Sequence, residues 1–88
     1  MADDATMRQQ VLAFIKKEYV EDEEEAEDLD ESTKLMDSGL IDSFSITSIR
    51  DWLERTFSVK IPDELGTVAN FQTVASIVAL VKSRQAGA

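Results

Sequence analysis

Apolar residues recur at three- and four-residue spacing in three stretches of the chain, with polar residues between them. Met7, Val11, Phe14, Ile15 and Tyr19 make the first stripe, which predicts a helix over residues 6–19. Thr6 with Gln9 fits a capping box at its start, and Lys16 and Lys17 suit the negative end of the helix dipole. Ile46, Ile49, Leu53 and Phe57 form the second stripe, with Trp52 beside it at the rim or in the core. That helix starts near Asp42. It stops near Ser58, because Val59, Lys60 and Ile61 lead into Pro62, and residues before proline are pushed out of helix. Past Pro62 comes a polar turn broken by Gly66, and Thr67 can cap one helical turn over residues 67–70. Thr73 opens a last helix in which Val74, Ile77, Val78 and Val81 face inward. Their spacing decides for helix over strand in spite of the β-branched side chains. Residues 83–88 read as a frayed tail.

The expectation is an all-α fold: a four-helix bundle with three long helices, one short helix and a long first loop. Its core would draw on Phe14, Ile49, Leu53, Phe57, Ile61, Val74 and Ile77. A chain of 88 residues without internal repeats reads as a single domain, residues 1–88.

The first loop, about residues 20–41, carries no apolar stripe. Its segment 21–31 instead holds nine acids and no base. The chain has 18 acids and nine bases, so the remainder is balanced and the net charge of −9 belongs to this one segment. Like charges this dense repel one another and predict a solvated loop, with Leu29 available to anchor its end. An EF-hand loop needs a central glycine that is missing here. A general attraction for basic partners or divalent cations is the functional alternative to a merely solubilising role. Loops of this length inside a small domain are usually functional or disordered.

Composition narrows the chemistry. There is no cysteine and no histidine, which removes disulfides, a native thiol, the commonest general base and the commonest transition-metal ligand. No metal site and no catalytic constellation is expected, so the chain does not read as an enzyme. The acidic balance argues against nucleic acid and against anionic membrane surfaces. No apolar run approaches the roughly 20 residues that span a bilayer. The acidic, polar start does not resemble a secretory signal, and the expected address is the cytoplasm.

The informative stretch is Asp37-Ser38-Gly39-Leu40-Ile41-Asp42-Ser43-Phe44. Ser43 falls in the first turn of the second long helix, where backbone N–H groups lack partners and the dipole favours an anion. Asp and Ser are also the ordinary helix caps, so the pair alone is a weak signal. Ser38, followed by Gly39, reads as a turn residue. Phe44 and Ile46 can be read either as core or as exposed apolar contacts.

In its context the motif is stronger. D-S-G-L-I-D-S-F is followed by an amphipathic helix ending at Phe57, then S-V-K-I-P-D-E, then N-F-Q-T-V before the last helix. From about Thr6 to Lys82 the chain resembles the acyl carrier protein family, which includes peptidyl and aminoacyl carriers. The resemblance implies that Ser43 carries 4′-phosphopantetheine through a phosphodiester, with Asp42 as the adjacent acid. It implies a phosphopantetheinyl transferase that uses coenzyme A and Mg²⁺, and an arm whose thiol holds acyl or aminoacyl groups as thioesters. The implied partners are a loading enzyme and a downstream acyltransferase, met by a monomeric carrier.

Two features depart from the common pattern. The residue after the modified serine is Phe44 rather than Leu or Met. The following helix sets Arg50 and Arg55 against Asp51 and Glu54, without the net acidity of fatty-acid carriers. Partner contacts are therefore expected through Phe44, Ile46 and Thr47. The Gly-Leu-Ile-Asp-Ser form is similar to discrete aminoacyl carriers, such as the D-alanyl carriers, and to specialised acyl carriers. The competing reading is a small acidic helical adaptor that binds a basic protein and is never modified.

Overall fold

The computed structural model describes residues 4–86 and is helical throughout, with no strand among those residues. The three long helices are α1 (Asp4–Tyr19), α3 (Ser43–Phe57) and α5 (Val74–Ala86). A short α4 (Val68–Phe71) precedes α5, and a 3-10 turn over Asp63–Leu65 follows Pro62. The three long helices are those the apolar spacing predicts, and the short one follows Thr67 as its cap predicts.

Several helix ends are set locally. Ser58, in the left-handed region at φ 56°, closes α3. Thr67 Oγ1 accepts from the Asn70 N–H at 3.3 Å and starts α4. At the head of α5 the Thr73 and Ser76 side chains each accept the other's backbone N–H, at 3.0 and 3.1 Å. The first turn of α1 already includes Asp4 and Ala5, so Thr6 lies inside the helix and is not its cap.

The first loop departs most from expectation. It contains a further helix, α2 (Glu23–Asp28), inside the acidic segment. Self-repulsion among these carboxylates is real, but three local effects oppose it. Asp22 caps the helix by accepting the Glu24 N–H at 2.8 Å. Glu23, Glu24 and Glu25 occupy the first turn, where the dipole favours negative charge. Leu29, just past the last turn, is buried and ties the segment to the core. Among the described residues no three carboxylates come together as a metal site would require. The last helix also continues through Ser83, Arg84 and Gln85, where the sequence predicts fraying. Arg84 donates from Nε to the Lys60 carbonyl at 2.7 Å and holds that end down. Residues 87 and 88 of the predicted tail lie outside the described residues.

The core is formed by one face of each long helix together with residues from the connections. Met7, Val11 and Ile15 come from α1, Ile46, Ile49 and Leu53 from α3, and Val74, Ile77, Val78, Leu80 and Val81 from α5. Leu29, Leu35 and Ile41 enter from the first loop, and Val59 and Ile61 from the segment before Pro62. Phe71 is the largest fully buried side chain. Two aromatics expected in the core sit instead at its rim. Phe14 stacks on Trp52 with ring centroids 4.1 Å apart, and Phe57 meets Trp52 edge-on at 5.8 Å. Phe14, Trp52 and Phe57 are partly buried and pack against the core from its edge.

Candidate functional site

Ile41, Asp42 and Ser43 form the junction between the first loop and α3. Ile41 is buried and fixes the loop's end to the core. Asp42 is the N-cap: extended at φ −129° and ψ −176°, its Oδ1 accepts from the Ser45 N–H at 3.0 Å and from the Ser45 hydroxyl at 3.1 Å. These bonds, the backbone one first, hold the Asp42 carboxyl below its ordinary value of 3.8, so it is a carboxylate at neutral pH.

Ser43 is the first residue of α3 and is exposed. Because Asp42 does the capping, the Ser43 hydroxyl is not needed for it. Ser38 differs in this respect. It lies in the turn before the junction, and its hydroxyl donates to the Leu35 carbonyl at 3.2 Å.

The residues expected to meet partners separate into two groups. Phe44 is 86% exposed and Thr47 is exposed as well. Ile46 is buried, so the structure corrects its place among the exposed contacts: it is a core residue. Its Cγ2 packs against the backbone at Gly66, where a Cβ would lie only 3.2 Å away. Val68 on α4, two residues past Gly66, is the other large hydrophobic side chain exposed among the described residues.

Charges on this side are largely paired internally. Arg55 meets Asp51 at 2.8 Å within α3, and Arg50 pairs with Asp63 beyond it. Glu54 accepts the Ile61 N–H at 2.9 Å. The face around Ser43 therefore offers an aromatic ring and hydroxyls, while the unpaired acids lie mainly in α2.

Sequence reasoning missed Gln72, which sits between α4 and α5 and bonds the loop that leads to Ser43. Its partners, Leu35, Met36 and Asp37, lie more than thirty positions away. No periodicity can reveal such a contact. The N-F-Q-T-V string was the only signal that pointed to this neighbourhood.

The arrangement is an exposed hydroxyl on the first residue of α3, beside a carboxylate already engaged as the cap. Residues 15–81 match the family described as the phosphopantetheine attachment site, and this match covers most of the chain. The chain belongs to that family, and is a carrier domain of the acyl carrier protein type. Domains of this kind are non-catalytic, bear covalently attached 4′-phosphopantetheine and interact with transferases and other enzymes. No curated protein matches the chain at a significant level. No helix among the described residues is long and apolar enough to cross a membrane.

The cap gives a pH-dependent prediction. A carboxyl whose folded value is depressed adds stability that is complete above its unfolded value and is lost as pH falls through the folded one. Asp42→Ala should therefore melt below the wild type at about pH 7, and the gap between the two melting curves should be smaller at about pH 2. Thermal melts at both pH values measure this. A gap of unchanged size in acid would mean that the ionised carboxylate is not what caps α3.

Proposed function

We propose that Ser43 is the attachment residue and that this single domain carries acyl or aminoacyl groups as thioesters in the cytoplasm. It presents them to a loading enzyme and a downstream acyltransferase. The observation that carries the reading is the exposed Ser43 hydroxyl at the first residue of α3, left open by a cap that Asp42 supplies.

In the attachment step Ser43 Oγ bonds to the phosphorus of the pantetheine phosphate. The diphosphate P–O bond of coenzyme A breaks, adenosine 3′,5′-bisphosphate leaves, and the hydroxyl proton passes to a base of the transferase. The new phosphodiester sits at the α3 N-terminus, where the dipole favours an anion. The Asp42 carboxylate beside it is engaged by Ser45. When bound, the arm supplies the thiol that a cysteine-free chain lacks. Tethering also raises the effective concentration of the cargo at each enzyme.

The test is the intact mass of the chain after incubation with coenzyme A, Mg²⁺ and a broad-specificity transferase. A panel of fatty acids and amino acids, each with its activating enzyme, then defines the cargo. A wild-type chain that gains no phosphopantetheine with several transferases removes the reading.

Partner contact on this reading runs through Phe44, with Thr47 beside it. Burying an exposed phenylalanine contributes about 1.5–3 kcal/mol, so Phe44→Ala should raise the transferase KM for the carrier by roughly tenfold or more. Its melting temperature should stay at the wild-type value, because the ring is 86% exposed. Asp51→Asn should change KM less. The reverse ranking in steady-state kinetics would mean that partners read the acids of α3.

A further inference from the structure

Gln72 makes four hydrogen bonds to three consecutive residues of the first loop. Its carbonyl accepts from the Leu35 N–H at 2.6 Å. Its Oε1 accepts from the Met36 and Asp37 N–H groups at 3.1 and 3.2 Å, and its Nε2 donates to Asp37 Oδ1 at 3.3 Å. The side chain uses the acceptor and donor ends of its amide together. Glutamate would lack the donor, asparagine would be one methylene shorter, and an apolar residue would have neither end.

The segment held in this way is closed on itself up to the attachment site. The Ser38 N–H donates to the Lys34 carbonyl at 3.0 Å, the Gly39 N–H to Met36 at 3.1 Å and the Ile41 N–H to Leu35 at 3.2 Å. Gly39 takes φ 82° at the bend, a conformation that suits glycine. Leu35 and Ile41 are both buried, one at each end of the turn. Asp42 follows directly, and its extended backbone sets the first turn of α3. The chain from Gln72 to Ser43 is thus a continuous series of fixed groups.

We propose that Gln72 is a positioning residue for Ser43: through the 35–41 turn it holds the loop in the form that a transferase must meet. This rests on Ser43 being the attachment point. An enzyme that docks across the α3 tip must find the loop in one arrangement. If the loop is released, only a fraction of carriers is competent at any moment, and the apparent affinity falls by that fraction. Pre-ordering the loop removes an entropy cost that docking would otherwise bear.

The experiment follows the mass gain of the full chain over time with coenzyme A, Mg²⁺ and a broad-specificity transferase. It is run at a temperature where circular dichroism shows every variant folded. Gln72→Ala should raise KM for the carrier about tenfold, as it would if the competent loop fell to about a tenth of the population, with kcat little changed. Gln72→Glu keeps the two N–H acceptors but sets a carboxylate against Asp37, so its KM should also rise. Combining Gln72→Glu with Asp37→Asn reverses donor and acceptor and should bring KM back towards the wild type. Ile77→Val, which loosens the core without removing a hydrogen bond to this turn, should leave KM unchanged.

A wild-type KM in folded Gln72→Ala overturns the proposal, and so does an equal rise in Ile77→Val. If Gln72→Ala does not fold, the single and double glutamate variants decide, and equal KM values for those two overturn it. A wild-type chain that is never modified removes the attachment reading itself, and the proposal falls with it. Normal modification of the wild type with an indifferent Gln72 removes only the positioning role.

Discussion

Ser43→Ala should gain no phosphopantetheine under conditions that modify the wild type fully. Its melting curve should overlay that of the wild type. The two halves of this result depend on different atoms. On the proposed attachment at Ser43, modification needs that side chain's oxygen, and alanine has none, so the loss is complete. Stability depends on the cap, and the cap is the Asp42 carboxylate on the Ser45 N–H and hydroxyl. Ser43 is exposed at the first helical residue, where a substitution changes stability by about 0.5 kcal/mol or less. Unfolding therefore cannot account for the lost mass. Ser38→Ala provides the complementary control. It removes a hydrogen bond to Leu35 and should still be modified. Intact mass spectrometry with thermal melts of the three proteins reads all of this at once. Mass gain persisting in Ser43→Ala would place the arm on another residue.

The cap and start of α3 were legible in the sequence because their chemistry is local. An Asp-Ser pair ahead of an amphipathic helix fixes where the cap and the hydroxyl must lie, and α3 begins where that pair predicts. The long helices were legible because their apolar stripes run over several turns, with Met7, Val11 and Ile15 on α1 as an example. α2 was not, because charge density alone points to a loop, while the opposing Asp22 cap, first-turn dipole and Leu29 anchor take effect only in the folded backbone. Ile46 looked equally suited to core or surface. Its burial in the folded chain, with Cγ2 against the Gly66 backbone, shows it to be core. Gln72 was illegible for a different reason. Its bonds join segments that only the packed helices bring together, and sequence spacing carries no record of such contacts.

Phe71→Ala should be the most damaging single core substitution. Phe71 is fully buried at the end of α4, a helix of only four residues. A buried phenylalanine cut back to alanine costs about 3–5 kcal/mol, through lost transfer energy and the cavity left behind. Domains of this size have roughly 5–15 kcal/mol to lose, so the variant forfeits a large share of its stability. At about 4–8 °C per kcal/mol for a domain of 60–100 residues, the melting temperature should fall by roughly 12–40 °C. Val68→Ala tests whether position or helix is responsible. Val68 lies three residues earlier on the same helix but is 49% exposed, so its removal should shift the melt by only a few degrees, about what a surface substitution costs. The two residues thus separate the exposed start of α4 from its buried end. Phe71 also precedes Gln72 directly, so the cavity should loosen the 35–41 turn before the whole domain unfolds. Amide exchange at Met36 and Asp37 should then accelerate more in Phe71→Ala than exchange at the centre of α1. Thermal denaturation followed by circular dichroism, with exchange measured well below the melt, checks both statements. A Phe71→Ala melt within a few degrees of the wild type would mean that the core does not close around this ring.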